Sequence, residues 1–301
     1  MAVIALNADE ALPPGLIACA ASLAPGAPVI VMIHGYRFAP GHRRSDPHRD
    51  ILGLGAAGAA AARPGPRRNL SWPRALGFSA DGPEGLGISF GWPARGRLSA
   101  AYARAGVTGQ GLAPVLARLA DAAARPVHLI AHSLGARVAL QALAAAPGAS
   151  IGRMVLMAGA ELRPLAGAAI DSPAGRQAEV INVTSRENDP FDFALEWLIG
   201  RGRHRALGFG LEAPRRNWLD LQIDAPETRA GLAALGFGIG ADVARACHWS
   251  PYLREGLFDF YRIALSQGWA LPMGLLRANI PARQAPRWSR LLHLPGRAQS
   301  S

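Results

Sequence analysis

The stretch Val127-His-Leu-Ile-Ala131-His132-Ser133-Leu134-Gly135-Ala136-Arg137-Val138-Ala139-Leu140 decides the fold. A short apolar run ends at Ser133. A second run, with Val138, Leu140 and Leu143 at helical spacing, leaves it. The serine therefore sits at a tight strand-to-helix turn, which lifts its hydroxyl above the sheet edge. Such a turn admits only small residues two before and two after the serine. Ala131 and Gly135 satisfy this, the alanine at the expense of one methyl of crowding. The N–H of Leu134, first in the helix, then points toward an anion formed at the serine.

Further apolar runs flank this one: Val29–Ile33, Leu86–Phe90, Met154–Met157, Val180–Thr184 and Trp218–Ile223. Strands of this kind are buried on both faces and belong to a mainly parallel sheet. Ala100–Ala123 and Leu134–Ala146 have the three- and four-residue spacing of crossover helices. The expected class is α/β, one domain over residues 1–301 with helices on both faces of the sheet. Two regions depart from it. The irregular insertion 37–85 is read as a lid or pocket wall, and the arginine-bearing tail 281–301 as loosely packed.

Composition narrows the function. Two cysteines, Cys19 and Cys247, exclude a disulfide framework and a four-thiolate metal site. The net charge of +11 comes from 32 basic residues, all arginine, against 21 acids. The arginines are scattered and show no zinc-finger or basic-zipper spacing, so a nucleic-acid partner is not expected. Four prolines break the uncharged segment Ala11–Tyr36, and Asp9 and Glu10 precede it where a secretory signal needs positive charge. Cytoplasmic residence is the expectation.

A second motif agrees with the first. Val29–Ile33 runs into His34-Gly35-Tyr36, where a glycine turn makes the N–H of Tyr36 available as a second oxyanion donor. The order His34-Gly35, Phe90-Gly91-Trp92-Pro93, His132-Ser133-Leu134-Gly135, Asp189 and His248 resembles the α/β-hydrolase superfamily over about residues 28–265. Trp92-Pro93 followed by Tyr102 is similar to a bacterial lipase-like or esterase-like branch of it.

The resemblance implies an α/β-hydrolase fold with an acid after a late strand and a histidine after the last one. It makes His248, in Cys247-His248-Trp249, the base for Ser133. The acid comes from Ser185-Arg-Glu-Asn-Asp189-Pro-Phe-Asp192, with Asp189 first and Asp192 and Glu187 in reserve. The expected chemistry is hydrolysis of a carboxylic ester of a small-molecule acyl substrate through an acyl-enzyme. Amides and thioesters are alternatives, and so is a non-catalytic binding protein of the same fold. Phe38, Trp72, Phe78, Trp92 and Trp249 are read as pocket walls. Alternatively, Arg37, Arg43, Arg44 and Arg95 receive a carboxylate or phosphate on the substrate.

His34 and His132 are read as loop braces. His42 and His48, with Asp46 and Asp50, lack the spacing of a metal site, so neither a metal nor another cofactor is expected. No obligate protein partner is evident. Weak membrane contact is expected of the tail, where Trp288, Leu291, Leu292 and Leu294 alternate with Arg287, Arg290 and Arg297.

Overall fold

The computed structural model describes residues 2–54, 70–78, 84–241 and 244–292. Seven strands form one sheet: β1 (Ala2–Asn7), β2 (Val29–Ile33), β3 (Leu86–Gly91), β4 (Val127–His132), β5 (Ile151–Met157), β6 (Glu179–Thr184) and β7 (Trp218–Gln222). Their order is β1-β3-β2-β4-β5-β6-β7, and every neighbouring pair is parallel. Six of the strands are the apolar runs read from the sequence. The seventh, β1, escaped that reading because it is an edge strand on which, among the described side chains, only Leu6 is buried.

Alternation along the strands divides the core in two. Val29, Val31 and Ile33 of β2, with Val127, Leu129 and Ala131 of β4, pack under α1 (Leu16–Ala21), and under α3 (Leu98–Ala123), α4 (Leu134–Ala145) and α5 (Arg163–Ile170). The opposite face carries Ile30, Met32 and Ile130. It packs against α2 (Trp72–Ala75), α7 (Pro226–Ala234), α8 (Ser250–Leu253), α9 (Leu257–Ser266) and α10 (Met273–Asn279).

The described parts of the insertion belong to this second core. Ile51, Leu52, Trp72, Leu76 and Phe78 are all buried in it. Residues 55–69 and 79–83 of the insertion lie outside the described residues. His48 fastens the same segment to the sheet, one ring nitrogen 2.7 Å from Ser89 Oγ and the other 2.8 Å from Asn7 Oδ1.

Two further helices, α6 (Asp189–Leu198) and α11 (Ser289–Leu292), follow β6 and lie within the tail. The described part of the tail is anchored. Arg287 pairs with Glu196 and Arg290 with Asp224 (2.8 Å), while Trp288 donates its N–H to Asp189 Oδ2 (2.6 Å). Loose packing was expected there, but the buried carboxylates of residues 189–224 hold the segment down. Leu294 and Arg297 lie outside the described residues. Among the described residues, no helix is long and apolar enough to cross a membrane.

Candidate active site

At the carboxyl end of β4 the chain turns at Ser133 with φ 54° and ψ −124°. A residue bearing a Cβ adopts this conformation only under constraint. The backbone supplies the constraint: the Ser133 N–H donates to the Met157 carbonyl (3.0 Å), and its own carbonyl accepts from Ala136 (3.0 Å) and Ala160 (2.9 Å). Behind the turn, Arg137 donates to Glu161 Oε2 (2.6 Å) and stacks on the Tyr102 ring at 3.7 Å, while the Tyr102 hydroxyl donates to Glu161 as well. This buried group fixes the first turn of α4 against α3.

The loop after β2 lies directly against this turn. A Cβ on Gly35 would stand 2.8 Å from Ser133 Cβ and 2.9 Å from the His132 carbonyl. One on Gly135 would stand 2.6 Å from the Ile33 carbonyl. Only glycine fits at either position, so the two motifs found separately in the sequence form one structure. Among the described residues, the N–H groups of Tyr36 and Leu134 have no hydrogen-bond acceptor.

His34 stabilises the loop. It accepts from the Trp92 N–H at Nε2 (3.0 Å), so Nδ1 carries the proton and donates to the Gly35 carbonyl (2.9 Å). Burial lowers its pKa to about 3, which keeps the ring neutral.

His248 arrives from the loop before α8 and is seated by its neighbours. His132, adjacent to Ser133, donates from Nε2 to the His248 carbonyl (2.9 Å), and the two rings lie 4.6 Å apart. Phe191 stacks on the other side at 4.6 Å. Burial, with His132 adding to it, depresses the His248 pKa well below the usual 6.5. Glu187 ties the loop to the end of β6, accepting from Arg254 (2.8 Å) and the Ala244 N–H (2.8 Å) through Oε1 and from the Cys247 N–H (2.9 Å) through its carbonyl.

The residue touching Nδ1 of His248 is Asn188, with Oδ1 at 2.6 Å. Asp189, the first choice from the sequence, faces away: its carboxylate meets Arg186 (3.3 Å) and the Trp288 N–H. Asp192, the reserve, acts one step removed by accepting from Asn188 Nδ2 at 3.0 Å. Asp192 Oδ1 is the acceptor in this contact, as it can be with the acid ionised or with its proton on the unpartnered Oδ2, so the NH₂ end of Asn188 faces Asp192 and the Asn188 oxygen faces the imidazole. The proton then resides on Nδ1 and leaves Nε2 free as a base. Burial raises the Asp192 pKa to about 8. Asn188 was missed because the sequence signal sought was a carboxylate.

The expected pocket walls separate into two groups. Trp72, Phe78 and Trp92 are fully buried core residues, since their ring area is taken up by the second core and by His34. Phe38 and Trp249 are half-buried, Phe38 beside His34 and Trp249 beside His248 and Phe191. Phe191, absent from the sequence reading, borders His248 directly. A cavity of about 460 Å³ lined by Tyr36, Arg37, Arg95 and Gly96 borders the loop after β2. Arg95 also lines a second cavity of about 570 Å³ with His42, Arg43 and Arg44. Among the described residues, no three His, Cys, Asp or Glu side chains are grouped to hold a metal. No family model matches the chain, and no curated protein matches it.

Proposed function

We propose that the protein is a serine hydrolase of the α/β-hydrolase fold, acting on carboxylic esters through an acyl-enzyme. The observation that carries this reading is the Ser133 backbone, held at φ 54° and ψ −124° between a buried strand and a helix. Strain of this kind persists only where surroundings over-determine it, and it clusters at reactive positions. Two unengaged N–H groups flank it, and the His248 carbonyl is held by His132, the residue before Ser133, with no hydrogen bond joining Ser133 Oγ to the His248 ring in this structure.

In this reading Ser133 Oγ attacks the ester carbonyl carbon while His248 Nε2 takes the hydroxyl proton. The carbonyl oxygen becomes an oxyanion held by the N–H groups of Tyr36 and Leu134. When the intermediate collapses, the C–O bond to the alcohol breaks, and the alkoxide leaves with the proton from His248. Water then repeats the sequence on the acyl-enzyme, giving the carboxylic acid and restoring the serine. Asn188 accepts from Nδ1–H throughout. It is a positioning residue, and so is Asp192 behind it. The reaction as written calls on no group beyond these side chains and water.

One observation favours a second reading, a non-catalytic binding protein: Ser133 is only 5% exposed. Stopped-flow hydrolysis of an aryl-ester chain-length series separates the two readings. A burst of one equivalent of phenol per chain, abolished by Ser133→Ala, supports the hydrolase. Ester binding without turnover in the wild type overturns it.

A further inference from the structure

Helix α6 is inverted. Its carboxylates point inward, with Asp189, Asp192 and Glu196 at 0%, 2% and 8% exposure. Leu195 alone of its large apolar side chains joins the core, at 4%, and the other four face out: Phe191 at 41%, Phe193 at 48%, Trp197 at 68% and Leu198 at 61%. In water a helix gains by the opposite arrangement, so this one is built for an outer environment that is not only water. The tail enlarges the same face, Trp288 lying 5.7 Å from the Phe193 ring with Leu291 exposed beyond it.

The next turn of chain is basic. Arg201, Arg203, His204 and Arg205 are all exposed, and the Trp197 ring lies against Gly202 between them. Among the described residues, none of the three arginines forms a salt bridge with a carboxylate.

We propose that α6 and the loop 199–205 dock on an anionic lipid surface. Phe193, Trp197 and Leu198 would enter the headgroup region while Arg201, Arg203 and Arg205 meet the lipid phosphates. Aromatic and aliphatic side chains flanked by arginine are what such an interface binds. A second copy of the chain fits less well, because a two-fold contact through this face would bring two arginine loops together. The docking face borders the candidate site through Phe191, which stacks on His248, so a bound protein would bring His248 close to the lipid. The arginines expected to serve the membrane from the tail, Arg287 and Arg290, are already paired with Glu196 and Asp224. The loop after α6 takes that role instead.

The test is co-sedimentation of the full chain with vesicles of phosphatidylcholine alone and of phosphatidylcholine mixed with phosphatidylglycerol. The wild type is expected to pellet with the mixed vesicles and to be released by salt. Each change of Arg201, Arg203 or Arg205 to Gln should weaken binding roughly fivefold. The double variant Phe193→Asp, Trp197→Asp should abolish binding while keeping the wild-type melting temperature. Ser133→Ala should bind like the wild type, so the outcome is independent of the hydrolase reading. Wild type remaining in the supernatant at low salt overturns the proposal, as does undiminished binding of the aspartate double variant. A dimer that Trp197→Asp dissociates, with no vesicle binding, assigns the face to a second copy and overturns it as well.

Discussion

Two strand-to-helix turns end on the same edge of the sheet and are built on opposite principles. At β4–α4 the helix packs its apolar face into the core, and the polar residue at the turn, Ser133, is held by backbone hydrogen bonds. At β6–α6 the core side is occupied mainly by carboxylates and a fully buried Arg186, with Leu195 as its one large apolar residue, and Phe191, Phe193, Trp197 and Leu198 face outward. The first turn fixes one hydroxyl rigidly. The second is a chain of side-chain contacts, each of which sets the orientation of the next, from Asp192 to Asn188 to His248. If Ser133 and His248 act as proposed, the difference teaches that a rigid nucleophile can be specified locally, whereas the orientation of its base requires a network assembled from distant segments.

The sharpest way to break this comparison is to reverse the polarity of the network. In Asp192→Asn the new amide can donate to Asn188 and flip it, offering NH₂ to His248 and placing the proton on the wrong nitrogen. kcat/KM for an aryl ester should fall at least tenfold, toward the roughly 10⁴-fold loss that a wrong tautomer causes. Asp189→Asn, which touches Arg186 and Trp288 but not the imidazole, should stay within a few-fold of wild type, as measured by steady-state hydrolysis. Equal losses in the two variants would remove the network from the account.

The rigid turn is challenged from its other side by Gly35→Ala. The added methyl stands 2.8 Å from Ser133 Cβ and 2.9 Å from the His132 carbonyl, so the Ser133 turn and the loop after β2 must separate. Overpacking of this kind costs about 1–3 kcal/mol, measurable by urea unfolding, and it should lower kcat with little change in KM. Unchanged stability and rate would show that the two loops do not depend on one another.

A smaller effect concerns protons. In the proposed mechanism His248 works in its neutral form, and burial depresses its pKa below 6.5. The acid limb of kcat/KM should therefore lie below 6.5, with activity retained as pH falls through the usual histidine range. Phe191→Ala admits water to one face of the ring and should move that limb upward, toward 6.5. A limb that stays put or moves down would mean that Phe191 does not desolvate the base.

How much of this was legible in the sequence follows from what each feature depends on. The β4 turn was legible because its requirement is local and steric: small residues at 131 and 135 around Ser133. Six strands were legible because strands buried on both faces read as apolar runs, while β1, among its described side chains, buries only Leu6. Asn188 was not legible. Glu187, Asn188, Asp189 and Asp192 are all polar and all buried, and which of them meets His248 depends on how α6 enters against residues 244–254 and 285–290. The aromatic residues misled for a related reason. Trp72, Phe78 and Trp92 lie outside regular apolar runs, yet they fill the second core and the space beside His34, leaving Phe191 and Trp249 next to the histidine.

The central claim is that the Ser133 hydroxyl is an activated nucleophile. Intact-mass and peptide mapping after treatment with a fluorophosphonate tests it directly. The account predicts one phosphonyl adduct per chain, on Ser133, absent in Ser133→Ala and formed at least a hundredfold more slowly in His248→Ala, in line with the roughly 10²–10⁴-fold contribution of a general base. No adduct on the wild type, an adduct on another residue, or equal labelling of wild type and His248→Ala would contradict it.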